Sequence, residues 1–121
     1  TFVLHGEEEY VKAQAVKAVI NTVDEDLRPF NVTELEKPDP RELSETCETL
    51  PLFADKRIVV CYELADGVEA AKYMDGIKDH SPETVLLLVF KGKLAANSSV
   101  LKQADKQGSA VIFDTLSKMS A

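Results

Sequence analysis

The sequence predicts an α/β domain in which one five-stranded parallel sheet is doubly wound, so that helices form a layer on each of its faces. Strand-like apolar runs alternate along the chain with segments of helical periodicity, five of the first kind and four of the second. The runs at 57–63 and 84–90 are almost entirely apolar at their centres, which is typical of strands covered on both faces. The length of 121 residues fits a single domain.

The first strand and the first helix are predicted at the amino-terminal end. Residues 2–5 form an apolar strand that Gly6 ends. Residues 7–23 predict an amphipathic helix, because valine or alanine recurs at every fourth position and polar residues occupy the opposite side. The predicted buried face consists of Val11, Ala15, Val19 and Val23.

A second strand and a second helix follow. Residues 30–35 alternate between apolar and polar side chains, and the glutamates at their end indicate a strand near an edge of the sheet. A helix then starts with an aspartate N-cap, a proline at N1 and a glutamate at N3, a combination that satisfies the free amides of a helix start. These residues are Asp39, Pro40 and Glu42, and the predicted buried face is Leu43, Cys47 and Leu50.

The rest of the chain predicts three strands and two helices. The strands are 57–63, 84–90 and 110–113. The last helix, at about 98–107, begins with an N-cap at Asn97 or Ser98 and ends at Gly108. The helix before it is marked by Ala70, Tyr73, Met74 and Ile77.

Composition excludes several classes of protein. The net charge of −7 and the pI of about 4.8 lack the basic footprint of a nucleic-acid-binding protein, so the chain alone is not expected to bind DNA or an anionic membrane. Cys47 and Cys61 form no CxxC pair, and they are interpreted as reduced thiols of a cytoplasmic protein. The longest apolar run is far shorter than the roughly 20 residues of a membrane helix. A start directly in a strand, without an initiator Met, suggests a piece of a longer protein.

Parallel sheets usually bind ligands beyond the carboxyl ends of their strands. The loop after the first strand is Gly6 followed by three glutamates, whereas a phosphate-binding loop needs further glycines and a lysine before Ser or Thr. The carboxylates suit the helix dipole but repel a phosphate. Glu63 follows the third strand, where an NTPase would hold magnesium, and a lone glutamate there is typical of a solvated edge residue. No nucleotide and no other cofactor is expected.

A receiver-type phosphorylation domain has the same length and architecture, and it stays as the alternative, together with other nucleotide-binding α/β domains. Glu7 and Glu8 could stand for its acidic pair. The third strand, however, ends in Glu63 where a receiver needs a phosphoaccepting Asp, and the fifth ends in Asp114 where it needs a Lys.

No catalytic or metal site is predicted elsewhere. His5 and His80 have no ligand spacing around them, and a histidine at the end of a strand or helix is usually structural. The hydroxyl and thiol side chains have no recognisable partnered base, so a nucleophilic enzyme has no support.

The segment at 50–57 is the strongest anomaly. Pro51 breaks the second helix, and Leu52 and Phe53 follow it before a charged turn that includes Lys56 and Arg57. Two interpretations are open: the two large apolar residues cap the end of the sheet, or they project as a prong toward a partner. In a partner's pocket, their burial would contribute on the order of 3 to 6 kcal/mol before the costs of association.

These residues resemble a known family. The stretch LPLFADKRIVV at 50–60 resembles the signature sLPLFgerRlVvv of the delta subunit of bacterial DNA polymerase III, a clamp-loader subunit. VLHGEE at 3–8 resembles the lLyGeE opening of that family, and TVLLLVF at 84–90, with the residues after it, resembles the family's next strand and its "kld". The strand at 108–113 is similar to "g.vvef". The chain departs from the family's kldkr pattern between Lys91 and Ser99.

The resemblance implies a RecA/AAA+-like, P-loop-type fold whose phosphate loop, at Gly6, Glu7 and Glu8, is degenerate and does not support ATP hydrolysis. Residues 1–121 would be the single amino-terminal ATPase-like domain of a longer subunit whose lid and collar domains lie beyond it. The implied partners are the sliding clamp, or beta subunit, and the delta prime and gamma or tau subunits. DNA would be met only through the assembled complex.

The resemblance also implies a role for the anomalous segment. Leu52 and Phe53 would enter a hydrophobic pocket on the sliding clamp and help open it. Pro51 would present them by ending the helix, and Lys56 and Arg57 are predicted to add charge at the rim of the interface.

Overall fold

The computed structural model describes residues 2–65, 72, 83–92, 94, 98, 100–102 and 110–112. A short 3₁₀ turn, Glu25–Leu27, leads into the second helix. The elements in chain order are β1 (Phe2–His5), α1 (Glu9–Ile20), α2 (Arg28–Asn31), β2 (Val32–Glu36), α3 (Pro40–Glu48), β3 (Arg57–Leu64), β4 (Thr84–Phe90) and β5 (Ala110–Ile112).

The strands form one parallel sheet in the spatial order β2-β3-β4-β1-β5. The predicted α/β fold with a parallel sheet is therefore confirmed, and β2 lies at an edge as predicted. The chain crosses from β1 to the far edge through α1 and then turns back to β3 through α3. Because parallel crossovers are right-handed and these two run in opposite directions, α1 and α3 lie on opposite faces.

Each face of the sheet has its own apolar core. Alternate side chains of β3 point to opposite faces, as strand geometry requires. Ile58 and Val60 pack on the α1 side with Val16, whereas Val59 and Cys61 pack on the α3 side. On that second side they meet Leu43 and Cys47 of α3 and Leu86 and Leu88 of β4.

The predicted face of the first helix is wrong at its start. Val11 is 44% exposed, whereas Lys12 and Val16 are buried, so the inward stripe begins one residue later than its apolar pattern indicates. The helix is also shorter than predicted, because it begins at Glu9 and ends at Ile20. Lys12 lies inside because its ammonium binds groups at the end of β4.

Two further predictions along the chain are corrected. The second strand begins at Val32, because Phe30 and Asn31 end the short helix α2, which has Pro29 in its first turn. Leu50, predicted on the buried face of α3, is 63% exposed, since that helix ends at Glu48.

Several predictions fall on residues that the structure does not describe. The helix marked by Ala70, Tyr73, Met74 and Ile77 lies outside the described residues, and so do His80, Asn97, Gly108, Phe113 and Asp114. Of the predicted helix at 98–107, residues 100–102 are helical. The predicted cap is consistent with the Ser98 hydroxyl, which accepts a hydrogen bond from the amide of Leu101 at 3.4 Å.

The two cysteines are free and buried. Burial raises the pKa of the Cys47 thiol to about 11 and that of the Cys61 thiol to about 12, so both stay protonated at neutral pH. Among the helices that the structure describes, none has the length and apolar character to cross a bilayer.

Candidate functional site

The loop after β1 is engaged with the chain itself. Gly6 has φ +122°, a conformation that favours glycine, and its amide donates to the carbonyl oxygen of Gly92 at 2.7 Å. Glu7 and Glu8 follow, and the carbonyl of Glu8 accepts the amide of Lys12 in the first turn of α1 at 3.0 Å. The amide that a phosphate would need is therefore bonded to the loop after β4.

A buried cation binds at the carboxyl end of β4, close to this loop. Lys12 is 1% exposed, and its ammonium lies 2.7 Å from the carbonyl oxygen of Phe90 and 2.7 Å from the Oε2 of Glu9. Glu9 also accepts the amide of Gly92 at 3.1 Å. Although partial burial alone would raise it, the hydrogen bonds from Lys12 and Gly92 hold the pKa of Glu9 below its ordinary value.

Sequence reasoning missed Lys12, although one signal was available. Lys12 and Val16 are four positions apart, and Ile20 continues that spacing along the helix. A lysine on the same helix face as buried apolar residues indicates an ammonium that is itself buried and bound to a polar or acidic group.

Two other residues beyond the strand ends are bound within the chain. His5 is 3% exposed, and its Nδ1 accepts the amide of Leu94 at 3.1 Å, which agrees with the structural role predicted for it. The carboxylate of Glu63 lies 2.7 Å from the ammonium of Lys91, and this hydrogen bond raises the pKa of Lys91. The group that would hold magnesium in an NTPase therefore pairs with a lysine at the surface.

The segment after α3 is exposed. The helix ends at Glu48, and Pro51 disfavours a helical conformation at the residue before it, so the helix does not continue into this segment. Leu52 is 51% exposed and Phe53 is 84% exposed. The interpretation that these two side chains cap the end of the sheet is wrong, and the second interpretation, a projecting prong, agrees with their exposure.

The backbone of Phe53 is also unusual. Its φ of +59° lies in the left-handed region, which costs a residue other than glycine roughly 1 to 2 kcal/mol. Residues held in such conformations cluster at functional sites. The backbone conformation is a cost to the folded state, and the ring buries little of its surface within the domain.

A buried asparagine holds this segment. Asn31 is 0% exposed, its Oδ1 accepts the amide of Leu52 at 2.6 Å, and its Nδ2 donates to the carbonyl oxygen of Leu52 at 2.7 Å. Phe30, the residue before it, is 54% exposed. No sequence pattern predicts the contact between Asn31 and Leu52, because the two residues are 21 positions apart and one partner is backbone.

The predicted rim residues lie in different environments. Lys56 is half-buried. Arg57 is 9% exposed, and its guanidinium donates to the carbonyl oxygen of Phe30 at 3.2 Å and to the hydroxyl of Thr33 at 2.7 Å. The rim role of Arg57 stays a prediction, and the structure shows its side chain bonded to the backbone and side chain of neighbouring elements.

Fold and site together define a parallel α/β domain whose first loop is bonded to the loop after β4 and which exposes an apolar segment after α3. The family model described as "DNA polymerase III, delta subunit" matches residues 2–114. The chain therefore belongs to the DNA polymerase III delta subunit family, as the sequence resemblance indicated.

A solved structure has the same fold. The Bacillus subtilis DNA clamp loader delta protein (YqeN) matches with a TM-score of 0.72 and 20% sequence identity, over 94% of this chain and 37% of that one. The chain thus corresponds to little more than a third of that protein. No curated protein sequence matches the chain. The family match favours the delta interpretation over the receiver-type alternative.

Proposed function

We propose that this chain is the amino-terminal, ATPase-like domain of a clamp-loader delta subunit, and that it binds the sliding clamp through Leu52 and Phe53. In this role it helps open the clamp for loading onto DNA during replication and does not hydrolyse ATP itself. Pro51 presents the two apolar residues by directing the chain away from α3.

The observation that carries the proposal is the exposure of two adjacent apolar side chains, one of them on a left-handed backbone. Phe53 is 84% exposed at a φ of +59°, beside a half-exposed Leu52. A domain gains nothing for its own folding from this arrangement, whereas a partner's pocket would gain the burial of both side chains. Large aromatic and aliphatic anchors that enter a pocket dominate the binding energy of many interfaces.

The absence of ATP hydrolysis is supported by the bonds within the first loop. The amide of Gly6 and the ammonium of Lys12 both bind carbonyl oxygens of the chain, and Glu7 and Glu8 place negative charge where a phosphate would approach. This arrangement fits a P-loop-type fold whose phosphate loop is degenerate, and it requires no cofactor.

The partners follow from the proposed role. They are the beta subunit as sliding clamp, and the delta prime and gamma or tau subunits, which would supply ATP hydrolysis. The net charge of −7 fits a domain that contacts DNA only through the assembled complex, in the cytoplasm. The lid and collar domains of the subunit would lie outside these 121 residues.

Surface plasmon resonance with the cognate sliding clamp tests the proposal. The double variant Leu52→Ala/Phe53→Ala is expected to bind at least a hundredfold more weakly, because about 3 kcal/mol of lost burial corresponds to a factor of that size. Tyr10→Ala is the matched control, since Tyr10 is a 73% exposed aromatic residue on α1. Unchanged affinity of the double variant, with a wild-type circular dichroism spectrum, would contradict the proposal.

Thermal unfolding separates the alternatives. ATP with magnesium is expected to leave the melting temperature unchanged, whereas a nucleotide-binding domain would be stabilised. Stabilisation by beryllofluoride, a mimic of the phosphoryl group, would support the receiver-type alternative instead.

A further inference from the structure

The backbone of the prong, defined as Leu52 and Phe53, is hydrogen-bonded to the domain through the side chain of Asn31. Across residues 50–56, all of which the structure describes, the two bonds between Asn31 and Leu52 are the hydrogen bonds that fix the backbone. They use both polar groups of Leu52, its amide and its carbonyl. The side chain of Leu52 takes no part and stays half exposed.

Chemistry fixes the orientation of the Asn31 amide. The amide of Leu52 can only donate and its carbonyl can only accept, so Oδ1 must face the first and Nδ2 the second. Nδ2 uses its other hydrogen on the carbonyl oxygen of Leu27, at 3.0 Å. A primary amide of this length offers one acceptor and two donors together, whereas an ionised carboxylate offers no donor.

The residues around Asn31 are themselves held in place. Asn31 ends α2, and Arg57 binds Phe30 before it and Thr33 after it. Arg57 begins β3, five residues after Leu52, so the guanidinium bonds the start of this interior strand to the chain that carries Asn31. The bonds to Leu52 therefore come from a fixed part of the domain.

We propose that Asn31 is a positioning residue for partner binding, which holds the backbone of Leu52 so that the prong is already in its binding conformation before the partner arrives. The inference rests on the proposed function of Leu52 and Phe53. The mechanism is preorganisation. Without these bonds the binding conformation is one of several, and the apparent affinity is the intrinsic affinity multiplied by the fraction of molecules that adopt this conformation.

This mechanism predicts a distinct kinetic signature. Asn31 touches the partner only through Leu52, so its removal lowers the population of the competent conformation and slows association. Removal of the Leu52 and Phe53 side chains deletes contacts in the complex and speeds dissociation. A residue with a merely structural role would lower the melting temperature and leave both rates unchanged in the folded protein.

The test measures clamp binding by surface plasmon resonance for Asn31→Asp, with Asn21→Asp as the control because Asn21 is an exposed asparagine at the end of α1. We expect at least tenfold weaker binding, carried by the association rate, and faster hydrogen exchange at the Leu52 amide. In the Leu52→Ala/Phe53→Ala background, Asn31→Asp should have no further effect on affinity. If Asn31→Asp fails to fold, Asn31→Ala gives the same comparison, since it leaves the Leu52 groups to water.

The outcomes distinguish the positioning role of Asn31 from the proposed function of Leu52 and Phe53, on which that role rests. Wild-type association by a folded Asn31 variant, alongside lost binding by Leu52→Ala/Phe53→Ala, would overturn the inference and leave the proposed function intact. Wild-type binding by every variant, including the double alanine variant, would overturn both. A slower association rate for Asn31→Asp, with Asn21→Asp unchanged, supports the positioning role.

Discussion

The ammonium of Lys12 lies 2.7 Å from the carbonyl oxygen of Phe90, although the two residues are 78 positions apart in sequence. The contact joins the first helix to the carboxyl end of β4, a place where parallel sheets usually bind ligands. The ammonium of Lys12 lies at this end of β4, and the carboxylate of Glu9 balances its positive charge. The same contact therefore bears on both the stability of the domain and its capacity for nucleotide.

Substitution Lys12→Met is expected to lower the free energy of unfolding by about 1 to 3 kcal/mol, because the carbonyl of Phe90 loses the ammonium as donor and the carboxylate of Glu9 keeps only the amide of Gly92. Methionine keeps much of the apolar stem, so the loss reports on the ammonium. Urea denaturation gives the measurement. Lys17→Met, at an exposed position of the same helix, is the control and is expected to change stability by less than about 0.5 kcal/mol.

Neutralising the loop carboxylates should not create a nucleotide site. In the variant Glu7→Gln/Glu8→Gln, we expect ATP with magnesium to leave the melting temperature unchanged, because the Gly6 amide and the Lys12 ammonium remain bonded to carbonyl oxygens of the chain. Stabilisation of this variant by ATP would mean that the two charges alone keep nucleotide out.

The acid sensitivity of the domain should depend on Glu9. Its pKa is lower in the folded protein than its ordinary value of 4.5, so its contribution to stability is complete above that value and is lost as pH falls through the lowered folded pKa. Glu9→Gln should therefore lose less stability than the wild type between about pH 5 and pH 3. Urea denaturation at several pH values measures this, with Glu45→Gln as an exposed control on α3. Identical losses in the wild type and Glu9→Gln would contradict the prediction.

Local patterns predicted the elements well. Continuous apolar runs located β3 and β4, and the predicted N-cap is confirmed, since the carboxylate of Asp39 accepts the amide of Glu42 at 2.8 Å. These signals succeed because they depend on neighbours within a few residues. The stripe of α1 was misplaced at Val11 because the periodicity of apolar residues does not record a lysine that turns inward.

The polar contacts of the candidate site could not be predicted in the same way. Asn31 and Arg57 each bind groups 21 to 27 positions away, and several of those groups are backbone carbonyls or amides, which every residue carries. No residue type marks the partner of such a bond. The sequence alone does not predict the exposure of Leu52 and Phe53 for a related reason, since apolar side chains are common both in cores and at interfaces.

The neighbouring residues Lys56 and Arg57 should respond differently to substitution. Lys56→Ala is expected to slow clamp association by a few-fold, with an effect that fades at high salt, as for charges at the edge of an interface. Arg57→Lys should instead lower the free energy of unfolding by about 1 to 2 kcal/mol, because lysine cannot bind Phe30 and Thr33 together. Surface plasmon resonance at two salt concentrations and urea denaturation separate the effects. Equal loss of stability in both variants would contradict this assignment.

Phe53→Gly should move stability and binding in opposite directions. Glycine adopts a φ of +59° without strain, so relief of the left-handed backbone should raise the free energy of unfolding by about 0.5 to 1 kcal/mol, even after the larger entropy of glycine in the unfolded chain. Loss of the ring should weaken clamp binding at least tenfold. Phe53→Ala is the matched variant, because it removes the ring but keeps the strain, and it should lose the same affinity without the gain in stability. A lower free energy of unfolding for Phe53→Gly than for the wild type would contradict this prediction. It would mean that the ring stabilises the domain itself.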